Sequence, residues 1–230
     1  MSIARYLDQQ ERHRLLAELP SPRDRLLVVL GLNTGLRVSS ILSLRWKQLM
    51  RGQEPLAFLE VPRRFLKGGR ALTKKRVSSR RIPLNAAAAA AVKEWAFARA
   101  GSGPVDGEKY VFSSRKRFPG GLSRRQAHTI ISEAARRAGL SPGVAPHGLR
   151  RSYAGDVYLA TGKDLLAVQA LLFHSSPVTT ARYLRPRQED LDQVVLGLAA
   201  GVGAADQNAG SRISLGHVPP PPTPPGNQRA

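Results

Sequence analysis

Arg37 and Arg150 each stand at a tight entry into a helix, in Thr34-Gly35-Leu36-Arg37 and His147-Gly148-Leu149-Arg150. A guanidinium offers paired N–H donors to a phosphate and does not lose its charge. Two of them on one phosphate would stabilise the extra negative charge of a pentacovalent transition state. His147 lies three residues before Arg150, hence on the same helical face, and imidazole is the side chain best matched to moving a proton near neutral pH. A second imidazole opens the stretch His174-Ser175-Ser176-Pro177-Val178-Thr179-Thr180-Ala181-Arg182-Tyr183, which ends on a phenol flanked by Arg182 and Arg185. The chain has no cysteine, no HExxH, no paired carboxylates near these histidines and no glycine-rich nucleotide loop. These types point to phosphoryl transfer in which arginines carry the charge and a side chain attacks, without metal or other cofactor. Tyr183 is the natural nucleophile, and since a phenol ionises only near pH ~10, a neighbouring base or cations must help it.

Helices must aim these groups. Residues 5–20 carry Leu15, Leu16 and Leu19 at helical spacing, with Asp8 as a cap and Pro20 as a stop. Ser21-Pro22-Arg23-Asp24 restarts a helix. Leu26, Leu27, Val29, Leu30 and Leu32 make it apolar on most sides, which predicts a central place in the core, and Gly35 suits its C-terminal left-handed position. A following helix turns Ile41, Leu42 and Leu44 inward, with Trp46 near its end. Phe58–Val61, Arg64–Leu66 and Arg80–Leu84 are β-type runs around Gly68-Gly69, predicted as a small antiparallel sheet or hairpin. Asn85 caps an alanine-rich helix to about Ala100, Tyr110–Phe112 is a short extended piece, and Ser123 starts a helix that Gly139 stops. Pro146 introduces the helix bearing His147 and Arg150, which runs to about Thr161-Gly162, and Lys163 to Phe173 form the next. Ser176 as N-cap and Pro177 in the first turn start a short helix bearing Tyr183. A last helix covers Gln188 to Leu198, with Leu191, Val194, Val195 and Leu198 on one stripe. The expected fold class is α+β, mainly α-helical, with a small antiparallel sheet on one edge.

The net charge is +20, from 36 Lys plus Arg against 16 Asp plus Glu in 230 residues. A surplus of this size repels itself in the free protein and makes sense if the partner is a polyanion. From Arg63 to Arg81 there are nine basic residues and no acidic one. Uninterrupted charge of one sign favours a surface that tracks phosphates. Arg63, Arg64, Lys67, Arg70, Lys74, Arg76 and Arg80 in that run, Arg115, Lys116 and Arg117 in a basic loop, and Arg124 and Arg125 at a helix start are the expected phosphate contacts, DNA contacts if the chain is a DNA-processing protein; ribosomal and chromatin-type proteins fit the charge as well. No signal peptide and no apolar run of spanning length are visible, so a soluble protein of the cytoplasm is expected; association with the nucleoid would follow if the polyanion is DNA. After Gly201 the composition turns to Gly, Ala, Ser and Pro, which predicts a disordered tail over residues 201–230 behind a single domain over 1–200.

The ordered set of Thr34-Gly35-Leu36-Arg37, a basic hairpin, His147-Gly148-Leu149-Arg150 and His174 followed by Tyr183 resembles the catalytic domain of the tyrosine recombinase, or phage integrase, family. The resemblance runs from about Arg5 to about Pro186. It implies that Arg37 and Arg150 are the two catalytic arginines, His147 the histidine of the HxxR motif, His174 the second histidine-or-tryptophan position and Tyr183 the nucleophile. It further implies an integrase-type catalytic domain that cuts one DNA strand at a time, leaving a 3′-phosphotyrosyl bond and a free 5′-hydroxyl. The bond energy is kept, so neither metal nor ATP is required. A hairpin lysine protonates the leaving oxygen in the family; Lys75 matches by distance to Ile82-Pro83-Leu84, Lys74 by following Thr73. Double-stranded DNA and a homotetramer assembled on it are the implied partners, with the last helix exchanged between protomers. Four departures stand out: Ser40 where an acidic residue is frequent, Gly148 where aspartate is common, Phe173 where glycine is usual, and a chain that begins where the catalytic domain begins. The last resembles catalytic-domain-only recombinases that invert promoter segments. A type IB topoisomerase, or a DNA-binding remnant of an integrase, shares much of this residue set.

Overall fold

In the computed structural model, which describes residues 6–62, 79–101, 103–113, 121–140, 144–174, 176–184 and 195–196, the first helix is started by its own side chains. Asp8 accepts from the Glu11 N–H and Glu11 accepts from the Asp8 N–H at the head of α1 (Gln9–Ala17), satisfying two backbone donors that no helical carbonyl reaches. Proline in the first turn opens α2 (Pro22–Thr34). Leu26, Leu27, Val28 and Leu30 are at most 1 % exposed, so each contributes roughly 1.5–3 kcal/mol by leaving water. This helix packs against both α4 (Ala86–Ala100) and α6 (Pro146–Ala160), as its all-round apolarity predicts. A side chain at Gly31 would come 2.8 Å from Leu149 Cδ1. Its absence lets α6 lie close to α2 and brings Arg150 to the α2 C-terminus.

Beyond Gly35 the expected long helix is shorter. Helix α3 (Val38–Leu42) spans one turn and a fraction, and Trp46 opens a separate 3₁₀ turn, Trp46–Gln48. The backbone between them is used elsewhere: Val111 N–H donates to Leu44 O at 3.0 Å and Trp46 N–H to Lys109 O at 3.1 Å. The Tyr110–Phe112 segment is therefore extended because it pairs here, through an antiparallel bridge between Arg45 and Tyr110. Leu44 and Trp46 are still buried, at 0 % and 2 % exposure.

A small hairpin that no periodicity announces joins β1 (Met50–Arg51) to β2 (Glu54–Pro55). The predicted antiparallel pair is present as β3 (Phe58–Val61) and β4 (Arg80–Pro83), in the register Phe58–Pro83, Leu59–Ile82, Glu60–Arg81 and Val61–Arg80. Leu59, Val61 and Ile82 face the core; the Arg64–Leu66 run lies outside the described residues. Asn85 caps α4 and Ser123 caps α5 (Arg124–Arg137), each by accepting a backbone N–H. The next helix, α7 (Leu165–Leu172), begins later than Lys163 because Asp164 is its cap, accepting from the Leu166 and Ala167 N–H groups, and Lys163 has φ 69°. The last helix of this unit is α8 (Pro177–Tyr183), with Ser176 at the N-cap position but without a side-chain cap bond.

These elements lie in the unit Met1–Arg185. In the unit Pro186–Ala230 only Val195 and Leu196 are described, as helical and exposed, so the expected last helix and the tail lie otherwise outside the described residues. Among the described residues no helix is long and apolar enough to cross a membrane.

Candidate active site

Arg150 is 2 % exposed, and a buried guanidinium is costly unless its N–H groups find acceptors; Nη1 and Nη2 find them, and Nε has none among the described residues. Its Nη1 donates to the carbonyl of Gly35, the C-cap of α2, and its Nη2 donates to Leu172 O, in the last turn of α7, at 2.7 Å. Both acceptors belong to helix C-termini, where carbonyls lack helical donors and the dipole is negative. Gly35 can present its carbonyl because φ is 59° and because a Cβ there would sit 2.3 Å from the Tyr153 ring. Phe173, the residue after Leu172, also takes a left-handed conformation, φ 55°, which explains why glycine suits this position better. Here a phenylalanine accepts that backbone while its ring packs against the core.

Around this arginine the structure gathers the other predicted groups. His174 Nε2 is 2.9 Å from Arg150 Nη2, and the His174 and Tyr183 ring centroids are 5.1 Å apart. Tyr183 also meets His147 edge-on, at 6.2 Å between centroids, and its ring centroid is 5.6 Å from Arg150 Cζ. Helix α6 thus aims His147 and Arg150 at the same phenol, as their spacing predicts. Arg37 is the N-cap residue of α3, half-buried, and close enough for its charge to act on both His147 and Arg150.

The electrostatics follow from this crowding. Burial lowers the Arg150 pKa to about 10; the Tyr183 oxygen works against that shift and Arg37 adds to it. Arg150 is still cationic at neutral pH. His147 is solvent-exposed as a residue, yet its ring is partly shielded, and desolvation, then the charges of Arg150 and Arg37, lowers its pKa below 6.5. At neutral pH it is an uncharged base beside a phenol. Tyr153 is held above its usual value by burial, against the pull of Arg150, and stays protonated.

Lys74 and Lys75 lie outside the described residues, as do Arg63, Arg64, Lys67, Arg70, Arg76, Arg115, Lys116 and Arg117. Arg80 is on β4, and Arg124 and Arg125 are exposed in the first turn of α5. Ser40, where an acidic residue is frequent in the family, is buried in α3 at 2 % exposure. The sequence reading missed Thr180, whose Oγ1 is 3.0 Å from His174 Nδ1. Its signal was available: it sits one helical turn before Tyr183. The carbonyls of Gly35 and Leu172 carried no signal, because a backbone acceptor has no residue type.

With this geometry in place the likeness to known proteins is direct. The phage integrase family matches residues 5–190. The chain belongs to that family. Tyrosine recombinase XerC of Xanthomonas campestris pv. campestris is 33 % identical over 186 residues, 79 % of this chain and 51 % of the relative. Tyrosine recombinase XerA of Pyrococcus furiosus is 32 % identical over 84 % of this chain and 62 % of its own length. The chain therefore spans about half to three-fifths of these relatives. A crystal structure of XerA recombinase superposes with a TM-score of 0.64 at 21 % identity, covering 86 % of this chain and 66 % of that one. XerH recombinase bound to its difH substrate gives 0.60 at 20 % identity, over 85 % and 55 %. The Tn1549 transposon integrase with circular intermediate DNA gives 0.58 at 18 % identity, over 86 % and 68 %. The fold is thus that of this phage integrase family's catalytic domains, mainly helical with small antiparallel sheets.

Proposed function

We propose that this phage integrase family member is a site-specific DNA strand-transferase in which Tyr183 is the nucleophile. The observation that carries the reading is the placement of the Tyr183 ring against His147, His174 and the buried Arg150. Tyr183 Oη attacks the scissile phosphorus, the phenol proton goes to the neutral His147, and the P–O5′ bond breaks to leave a 3′-phosphotyrosyl link. Arg37 and Arg150 offset the charge that grows on the phosphate oxygens. The departing 5′-oxygen takes a proton from Lys75 or Lys74. Attack by the 5′-hydroxyl of another strand reverses these steps, so the bond energy is conserved and no nucleotide is consumed. The net charge of +20 supports DNA as the substrate.

Assembly belongs to the same reading. The acidic last helix, with Glu189, Asp190 and Asp192 opposite its apolar stripe, docks on a neighbouring protomer in a tetramer formed on DNA.

The test of the chemistry is a covalent adduct. Incubation of the full chain with a pool of nicked suicide duplexes made from genomic DNA of its source organism should give protein–DNA complexes that survive denaturant. Tyr183→Phe should abolish them while DNA binding stays nearly unchanged. An adduct that persists in the Phe variant would refute the assignment of the nucleophile.

A further inference from the structure

His174 is 7 % exposed and both of its ring nitrogens face polar neighbours. Nε2 lies 2.9 Å from Arg150 Nη2, and Nδ1 lies 3.0 Å from Thr180 Oγ1. A guanidinium nitrogen can only donate, so the contact at Nε2 is satisfied only if Nε2 keeps its lone pair. The imidazolium, and the neutral tautomer protonated at Nε2, would each set two donors against one another at that distance. That leaves the proton on Nδ1, where Nδ1–H donates to the Thr180 hydroxyl oxygen. Thr180 is fully buried and lies three residues before Tyr183 on α8, so the two side chains share a helical face.

We propose that Thr180 is a positioning residue: it accepts the Nδ1–H of the tautomer that Arg150 selects, holds the His174 ring with Nε2 turned to Arg150, and so ties the helix that carries Tyr183 to the buried arginine. The hydroxyl matters because it is both donor and acceptor. A carbonyl in its place would accept Nδ1–H and nothing else. When a phosphate oxygen draws the Arg150 N–H away from Nε2, the ring can gain a proton there from water that enters with the phosphate and give its Nδ1 proton to the same water, so that Nε2–H faces that oxygen and Nδ1 accepts from Thr180. This second step rests on the strand-transfer reading above; the tautomer in the free protein does not.

The experiment uses the full chain labelled with ¹⁵N-histidine, free of DNA and above neutral pH. The long-range ¹H–¹⁵N pattern of His174, assigned by its loss in His174→Asn, should show a protonated Nδ1 and an unprotonated Nε2. In Thr180→Val, which leaves Nδ1–H without an acceptor, the Nδ1–H resonance should move upfield and exchange faster with water, while Thr180→Ser keeps the wild-type signal. In the adduct assay Thr180→Val should cleave roughly tenfold or more slowly, and Thr180→Ser should return to within about threefold of wild type. A wild-type ring protonated at Nε2, an unchanged Nδ1–H signal in Thr180→Val, or a Ser variant as slow as the Val variant would each overturn the proposal. If Thr180→Val does not fold, the wild-type tautomer and the Ser variant still decide it. If the wild type forms no adduct while the Nδ1–H signal follows Thr180 as expected, the strand-transfer reading falls and the positioning contact stands.

Discussion

In the proposed mechanism Arg150 acts on the phosphate, and its guanidinium also ties two helix ends together. Arg150→Ala removes the charge from the phosphate and also strips the Gly35 and Leu172 carbonyls of their donor, each loss costing about 1–3 kcal/mol where the acceptor is left dry. Arg150→Lys keeps a charge but cannot span two helix ends with one ammonium. Both variants should slow adduct formation by roughly 10²–10³-fold, the loss expected for about 3–4 kcal/mol of transition-state stabilisation. Thermal unfolding should show Ala the less stable of the two. Arg37→Ala, whose side chain is half-buried, should lose activity on the same scale with far less change in melting temperature. His147 gives the pH dependence. Its pKa is lowered in the folded state, so the unfolded chain takes up a proton first as pH falls. The stability linked to it is present above the ordinary imidazole value and is lost as pH falls toward the folded value. The cleavage rate should fall in the same direction, with a midpoint below ~6.5. A rate profile whose acid limb lies at or above the ordinary value, or survives in His147→Gln, would remove His147 as the base.

The elements hold the site through their ends. Helices α2 and α7 stop where Arg150 needs carbonyls, and α3 starts at Arg37, its N-cap residue. Gly35→Ala should therefore be severe, because it combines a left-handed backbone with a Cβ placed 2.3 Å from Tyr153. A loss of several kcal/mol, above the ~1 kcal/mol usual for a point mutant, is expected in denaturant titration. These ends were partly legible in the sequence. Asp8, Gly35, Asn85, Ser123 and Pro146 marked their boundaries because each has a physical reason to stand at a helix terminus. The break after Leu42 was not legible, since what ends α3 is a strand-like segment more than sixty positions later taking Leu44 and Trp46 into backbone pairing. The β1–β2 hairpin was missed for a related reason: two-residue strands leave no period to read. Motif spacing singled out Arg37, His147, Arg150, His174 and Tyr183 as candidates, and the last four meet in the structure, whereas the Thr180 contact depends on how α8 is rotated against His174.

At the scale of the whole molecule charge dominates. With 36 basic against 16 acidic residues, DNA affinity should fall by roughly 10³-fold or more between ~50 and ~200 mM salt, if six or more phosphates are neutralised. A flat salt dependence would contradict a phosphate-tracking surface. Truncation after Pro186 addresses assembly: loss of complexes larger than one protomer, with monomer binding retained, is expected if the last helix docks in trans. A truncated chain that still builds multimers and exchanges strands would leave that helix without an assembly role. The tie between Tyr6, Arg12 and Asp156 fastens α1 to the helix that carries Arg150, so the frame of the site reaches from the first turn of the described chain to α6. The wiring of Arg150 into two helix ends also has an evolutionary consequence. In a lineage released from selection for strand cutting but still required to fold and bind DNA, drift should claim the half-buried Tyr183 and Arg37 and the exposed His147 early. Arg150 should be lost late, because its replacement orphans two helix termini. A decayed copy would then keep the arginine that defines the motif long after its activity had gone, and the phenol, not the motif, would tell a working gene from a relic.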